Sequence, residues 1–175
     1  MEELFSRIRK IKLLILDVDG VLTNGGIILD NEGNEFKSFH VRDGHGIKML
    51  IRQGINVAII TGRHSKVVER RSHELGIKEV YQKCYDKRVA YREIKNKYGL
   101  SDEEIAFVGD DIVDIPILVR AGFSAVVADA ESDAKRFAHY ITERRGGHGA
   151  VREVTDLILK AKGLWEKIID DYSQT

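Results

Sequence analysis

Cysteine, proline and tryptophan each occur once in these 175 residues. A lone thiol, Cys84, excludes an internal disulfide framework and suits a reducing compartment. Lys+Arg and Asp+Glu both number 28, so no net field recruits nucleic acid or an anionic membrane. Any anion site must be local. No apolar run is long enough to cross a bilayer, and the opening MEELFSRIRK lacks a signal-peptide core, so a cytoplasmic location is expected. The six histidines (His40, His45, His64, His73, His139, His148) show no metal-ligand spacing, which argues against zinc. There is no internal repeat and no low-complexity segment. What remains is 43% hydrophobic and 32% charged, an ordinary globular balance. The length suits one domain over residues 1–175, with a loosely held tail over about 163–175.

The most informative stretch is Ile11–Gly25, IKLLILDVDGVLTNG. A near-continuous apolar run ends abruptly in Asp17-Val18-Asp19-Gly20, as in a strand buried on both faces of a parallel sheet. Strand alternation points Asp17 and Asp19 the same way unless the chain turns, and Gly20 permits that turn. Two acids so close repel one another unless a cation or proton lies between them. A hairpin over about 25–40 follows, with Ile27–Leu29 and Glu35–His40 flanking a Gly/Asn-rich turn. Its apolar residues Ile27, Ile28, Phe36 and Phe39 exceed what a two-stranded ribbon can cover, which leaves two readings, a hairpin folded onto its own domain or an oligomer contact.

Further along, apolar runs alternate with helical patterns. A helix over Gly46–Gln53 precedes a strand over Ile55–Ile60, and a basic helix over Ser65–Leu75 precedes the short strand Glu79–Tyr81. Asp86 is placed as the N-cap of a helix running to Tyr98. Ser101 and Glu104 have capping-box spacing before a strand at Ile105–Val108. Helix is expected over Ile112–Arg120, with Pro116 in its first turn, and over Ala150–Lys162. Together these predict an α/β fold: a doubly wound, Rossmann-like parallel sheet with helices on both faces, an inserted β-hairpin and no cap domain.

Polar groups then cluster at strand ends: Asp17 and Asp19, Thr61, Lys87, and Asp110, Asp111 and Asp114. In one sheet these ends converge on one cleft. Oxygen-only donors suit a hard cation such as Mg²⁺. A hydroxyl and an ammonium beside it suit phosphoryl oxygens. A carboxylate aimed at phosphorus can attack it, giving Asp17 the nucleophilic role and Asp19 the proton transfer. A calcium loop is disfavoured because the twelfth residue from Asp17 is Ile28, not Glu. A receiver domain would instead carry its phosphoacceptor at the third strand.

Asp17-Val18-Asp19-Gly20, Ile59–Arg63, Lys87 and Gly109–Asp114 resemble, in order, the four motifs of the haloacid-dehalogenase-like phosphatases. The resemblance implies Asp17 as nucleophile and Asp19 as acid/base, with the Asp19 backbone carbonyl also on Mg²⁺. It implies Thr61 and Lys87 on the phosphoryl oxygens, Asp110 on the metal, and Asp111 and Asp114 as supports. Phe39–Gly44, Arg63, Arg71 and Gly146–Glu153 are similar, more narrowly, to the 3-deoxy-D-manno-octulosonate 8-phosphate phosphatases. These are Mg²⁺-dependent homotetramers that make the free sugar acid for lipopolysaccharide. That similarity implies substrate contacts at Asp19, His40, Val41, Arg42, Asp43, Gly44, Lys48, Gly62, Arg63, Arg71, Lys87 and Asp111. Asn24 and His148 depart from the pattern, standing where Asp and Arg are usual. Arg63 and Arg71 are the first candidates for a substrate carboxylate, with Arg42 third. The intervals between motifs leave no room for a cap, so neighbouring subunits are expected to cover the site with the hairpin and the Gly146–Gly149 loop. A nine-carbon sugar-acid phosphatase and a non-catalytic assembly domain are the rival readings.

Overall fold

The computed structural model describes residues 2–174. Helix α1 (Glu2–Arg9) leads into strand β1 (Leu13–Leu16), then the hairpin strands β2 (Ile28–Leu29) and β3 (Glu35–Phe36). Helix α2 (Val41–Arg52), β4 (Asn56–Ile60), α3 (Lys66–Leu75), β5 (Glu79–Tyr81) and α4 (Lys87–Tyr98) follow. The second half comprises β6 (Ile105–Gly109), α5 (Ile115–Leu118), β7 (Phe123–Val126), α6 (Ser132–Lys135), β8 (Tyr140–Ile141), α7 (Ala150–Ala161) and α8 (Trp165–Ser173).

Six strands form one parallel sheet in the order β5-β4-β1-β6-β7-β8. Every residue of β1, β6 and β7 is buried, which is why these strands read as unbroken apolar runs rather than alternating ones. Helices α2 and α7 pack on each other and α1 packs on α7, while α4 and α5 form a second group. The doubly wound sheet is therefore as expected, and no separate cap is present among the described residues. From β1 the chain winds outward through β4 to β5, then crosses to β6 on the other side of β1. Open sheets bind ligands at such a reversal, beyond the carboxyl ends of the strands. Leu16 is level with both Ile59 and Val108, so Asp17, Ile60-Thr61 and Gly109-Asp110 leave the sheet at one height.

Several local expectations hold in detail. Asp86 caps α4 through the Arg88 amide at 3.0 Å. Both arms of the Ser101–Glu104 capping box form, around a single 3₁₀ turn. Pro116 lies in the first turn of α5, where its missing N–H costs nothing, although residues 112–114 are a 3₁₀ turn and α5 is shorter than predicted.

Other expectations are corrected. Helix α2 starts at Val41, not Gly46, so residues 41–44 form its first turn. Its glycines conceal the helical pattern but serve packing: a Cβ at Gly46 would run into the Thr155 side chain of α7. Phe39 is not on the hairpin's exposed face; it is half-buried against the core beneath the Arg71 guanidinium. The tail expected over about 163–175 is helical over Trp165–Ser173, and its last residue lies outside the described ones. Helix α8 buries Ile168, and its Trp165 ring lies 5.0 Å from the Lys160 ammonium. The amphipathic α1, which buries Ile8, has no counterpart among the predicted elements.

Replacing Ile168 by Ala should lower unfolding free energy by about 2 kcal/mol, the low end for a buried Ile near a chain end. Denaturant titration checks this. A change within about 0.5 kcal/mol would mean that α8 does not contribute to the core.

Candidate active site

At the reversal between β1 and β6 lies an open cleft of about 440 Å³, lined among others by Asp17, Asp19, Thr61, Lys87, Asp110 and Asp111. Asp17 is the first residue beyond β1. Its amide donates to the Val108 carbonyl (3.1 Å), and its Oδ1 accepts from the Val18 amide (2.7 Å). The chain then folds back, with the amides of Val21, Leu22 and Thr23 all reaching the Val18 carbonyl. Gly20, at φ +85°, makes that turn, and a Cβ there would strike the Asp110 carboxylate.

Lys87 occupies the centre of the charge arrangement. It projects from the first turn of α4, and its Nζ lies 2.7 Å from Asp17 Oδ2 and 2.6 Å from Asp114 Oδ1. Burial opposes its charge, but the two carboxylates outweigh that and move the lysine pKa upward. Asp114 is wholly buried; its Oδ2 accepts from the amides of Asp110 (2.9 Å) and Asp111 (3.2 Å). One carboxylate thus orients the lysine and shapes the loop after β6.

Ligand oxygens of Asp17, Asp110 and Asp114 lie within 4.8 Å of one another. Burial pushes Asp17 up to about 6, against the pull of Lys87. Asp110 rises further, to about 8, through burial and then the neighbouring Asp17 and Asp114 charges. Acids this close remain ionised together only beside a cation, and an all-carboxylate donor set fits a hard divalent ion. Asp114, expected only as a support, joins this carboxylate cluster, and the Asp19 contact expected at the metal is through its backbone carbonyl, not its side chain. The Asp19 carboxylate is turned away, with Oδ1 2.6 Å from Lys37 Nζ and Oδ2 3.8 Å from Arg63 Nε. The chain has left the strand by Asp17, so strand alternation no longer pairs the two side chains.

Of the other predicted residues, Gly62, Arg63 and Asp111 line the cleft. Thr61 is buried, and its backbone ties β5 to the loop beyond: its amide donates to Tyr81 and its carbonyl accepts from Cys84. His40, Asp43, Gly44 and Arg71 line a separate small pocket between α2 and α3. Asp43 is buried and its Oδ1 accepts from the Arg152 amide at 2.7 Å, which caps α7. Val41, Arg42 and Lys48 are exposed on α2. None of these seven lines the cleft within one chain. The Gly146-Gly147 turn is committed to its own chain, the Gly147 amide donating to Val21 O and the Gly146 amide to Asp129 Oδ1. His148 Nδ1 contacts Gly146 O within the same turn.

Four cleft residues escaped the sequence reading: Gly25, Cys84, Tyr85 and Val113. So did Glu35 and Lys37, which reach the site through Asp19 and Arg63. Their i, i+2 spacing on a strand, which places two charges on one face, was the available signal.

A buried lysine bracketed by acids, at the reversal of a parallel sheet and beside a divalent-cation cluster, defines a phosphoryl-handling α/β enzyme site. The comparisons with known proteins agree. Residues 71–154 match the family model for haloacid dehalogenase-like hydrolases. The 3-deoxy-D-manno-octulosonate 8-phosphate phosphatase of Yersinia pestis is 48% identical over 161 residues, 92% of this chain and 86% of that protein. The crystal structure of the enzyme of that name from Moraxella catarrhalis, in complex with magnesium ion, phosphate ion and KDO, superposes with a TM-score of 0.96 at 41% identity, covering 98% of this chain and 99% of that one. A cobalt-bound Haemophilus influenzae phosphatase of the same kind superposes at 0.88 with 42% identity, covering 91% and 93%. The chain belongs to the 3-deoxy-D-manno-octulosonate 8-phosphate phosphatase family of haloacid dehalogenase-like hydrolases.

Carboxylates with raised pKa hold protons in the folded state that the unfolded chain, titrating near about 4, has lost. Without a cation, stability from Asp17 and Asp110 therefore falls as pH rises from about 4 towards 8. A divalent ion that binds the ionised cluster reverses this. The melting temperature should rise more on adding Mg²⁺ at pH 8 than at pH 5.5, the added stability at pH 8 approaching about 2.7 kcal/mol at a hundredfold excess over Kd. Differential scanning calorimetry at both pH values checks the sign.

Proposed function

We propose that this protein is a Mg²⁺-dependent phosphoric monoester hydrolase that releases phosphate from 3-deoxy-D-manno-octulosonate 8-phosphate, as a single catalytic domain. The supporting observation is the convergence of Asp17, Lys87, Asp110 and Asp114 at one strand reversal, in a chain closely similar to a phosphatase crystallised with magnesium, phosphate and the sugar acid.

In this reading a carboxylate oxygen of Asp17 attacks phosphorus, forming an acyl-phosphate bond as the ester P–O bond breaks. Asp19 gives a proton to the departing sugar oxygen, then takes one from the water that hydrolyses the aspartyl-phosphate. Lys87 shifts part of its hydrogen bonding from Asp17 to a phosphoryl oxygen, and Thr61 holds another. Asp17, Asp110 and the Asp19 backbone carbonyl, with Asp114 beside them, would hold Mg²⁺, which would supply positive charge against the phosphoryl oxygens. Arg63, at the cleft edge, suits the sugar-acid carboxylate. Lipopolysaccharide synthesis would use the product, and a cytoplasmic location accords with it. No helix among the described residues is long and apolar enough to cross a membrane.

The open cleft calls for a cover, and the hairpin is the proposed means. Ile27, Ile28, Leu29 and Phe36 are each more than half exposed on a two-stranded ribbon. We assign this face to a homotetramer contact that sets neighbouring subunits over the cleft, with Val41, Arg42 and Lys48 contributing across the boundary.

Asp17→Asn should reduce phosphate release by at least about 10⁴-fold with an unchanged circular dichroism spectrum, as expected when the covalent route is lost. The assay runs eight- and nine-carbon sugar-acid phosphates side by side, with and without Mg²⁺. Appreciable residual turnover would identify a different nucleophile. Ile28→Asp should lower the solution mass in light scattering; an unaltered mass would remove the hairpin from the interface.

A further inference from the structure

The hairpin brings two charged residues to the acid/base position, and the mechanism above does not use them. The Lys37 side chain is 1% exposed, the deepest burial of any lysine in an ion pair here. Its Nζ lies 2.6 Å from Asp19 Oδ1 and 3.3 Å from Glu35 Oε1. The same Glu35 oxygen accepts from Arg63 Nη2 at 2.9 Å, and Arg63 Nε faces Asp19 Oδ2 at 3.8 Å. Lys37, Glu35, Arg63 and Asp19 thus close a ring of alternating charge. Two members come from the hairpin segment, one from the loop after β4 and one from the loop after β1.

A buried ammonium is costly unless its protons are engaged, so this one holds its partners in place rather than adding net stability. Without it, the Asp19 carboxylate could rotate about its side-chain bonds. Lys37 holds Oδ1 at 2.6 Å, whereas Oδ2 has only the longer 3.8 Å approach of Arg63 Nε, so Oδ2 is the less engaged oxygen and the one placed to exchange a proton. We infer that Lys37 is a positioning residue for catalysis. By pinning Asp19 Oδ1 it selects the oxygen that protonates the leaving group, and so makes the hairpin part of the catalytic apparatus as well as an exposed apolar surface.

This inference rests on Asp19 acting as the acid, and the test separates the two claims. A sugar or alkyl phosphate needs its leaving oxygen protonated, whereas p-nitrophenyl phosphate releases p-nitrophenolate, a stable anion that does not. The readout is the ratio of kcat/KM for the two substrates in one preparation, so an inactive or misfolded fraction cancels. Lys37→Met should lower this ratio by at least about tenfold, with p-nitrophenyl phosphate turnover falling less than about threefold. Equal losses on both substrates would show a merely structural lysine, and an unchanged ratio would show no role; either overturns the inference while leaving the phosphatase reading standing. A wild-type protein silent on both substrates would overturn that reading and this inference with it. If Lys37→Met does not fold, Glu35→Gln, which loosens the same ring, should lower the ratio about threefold, and an unchanged ratio there overturns the inference equally.

Discussion

The contact on which the site depends is the Lys87 ammonium held between Asp17 and Asp114. Three carboxylates meet beyond the carboxyl ends of β1 and β6, and in a low-dielectric setting their mutual repulsion would drive them apart or protonate them. A single buried cation from α4 offsets part of that repulsion and joins the two halves of the sheet. It does not offset all of it. Burial and the neighbouring carboxylates still push Asp17 up to about 6 and Asp110 up to about 8, so a further positive charge beside them would be favourable. The lysine and a divalent ion on the carboxylates would therefore be two parts of one electrostatic arrangement. A phosphate ester brings negative charge of its own, so it enters favourably only after both cations are in place.

That arrangement needs backbone accuracy, and the sheet supplies it. Hydrogen-bonded register keeps Leu16, Ile59 and Val108 level, so three loops begin from a common plane within a fully buried core. Each loop is then locked by a local device: the first by the turn at Gly20, the second by the Cys84 amide donating to the Thr61 carbonyl, and the third by the Asp114 carboxylate across the Asp110 and Asp111 amides. The Gly146-Gly147 turn fastens the first of these loops from outside through the Val21 carbonyl. Sites built this way place reactive groups on loops but take their precision from strands.

Much of this was legible in the residues because the physics was local. Asp86 before a helical stretch, Ser101 three residues before Glu104, and β1 as an apolar run ending in acids all follow from short-range rules. The convergence of Asp17 and Asp110 also follows, once both strands are assigned to one sheet. What was not legible depends on tertiary partners. The start of α2 was obscured because Gly44 and Gly46 look like breakers until α7 is seen lying against them. Helix α8 reads as a polar tail until Ile168 and Trp165 have a surface to meet. Asp43 stood in a motif that implied substrate contact, yet within its own chain it caps α7 from 109 residues away. The departure of Asp19 from Asp17 could be found only by locating the end of β1 to the residue.

The hairpin shows why a site with no cap of its own can still be demanding about its surroundings. An acid that must protonate a leaving group needs one oxygen held and the other available, and water at an open cleft would let it turn. Lys37 and Glu35 meet that need from beneath, where the ribbon joins the body of the protein, while Ile27, Ile28, Leu29 and Phe36 stay uncovered on the ribbon itself. A ribbon of two-residue strands is too weak to keep its own shape. The polar anchor to Asp19 and an apolar contact outside then become complementary: whatever covers the exposed residues also steadies the lysine. The absence of a cap does not simplify the enzyme, because holding the acid/base falls to the same short insertion that offers an exposed apolar face.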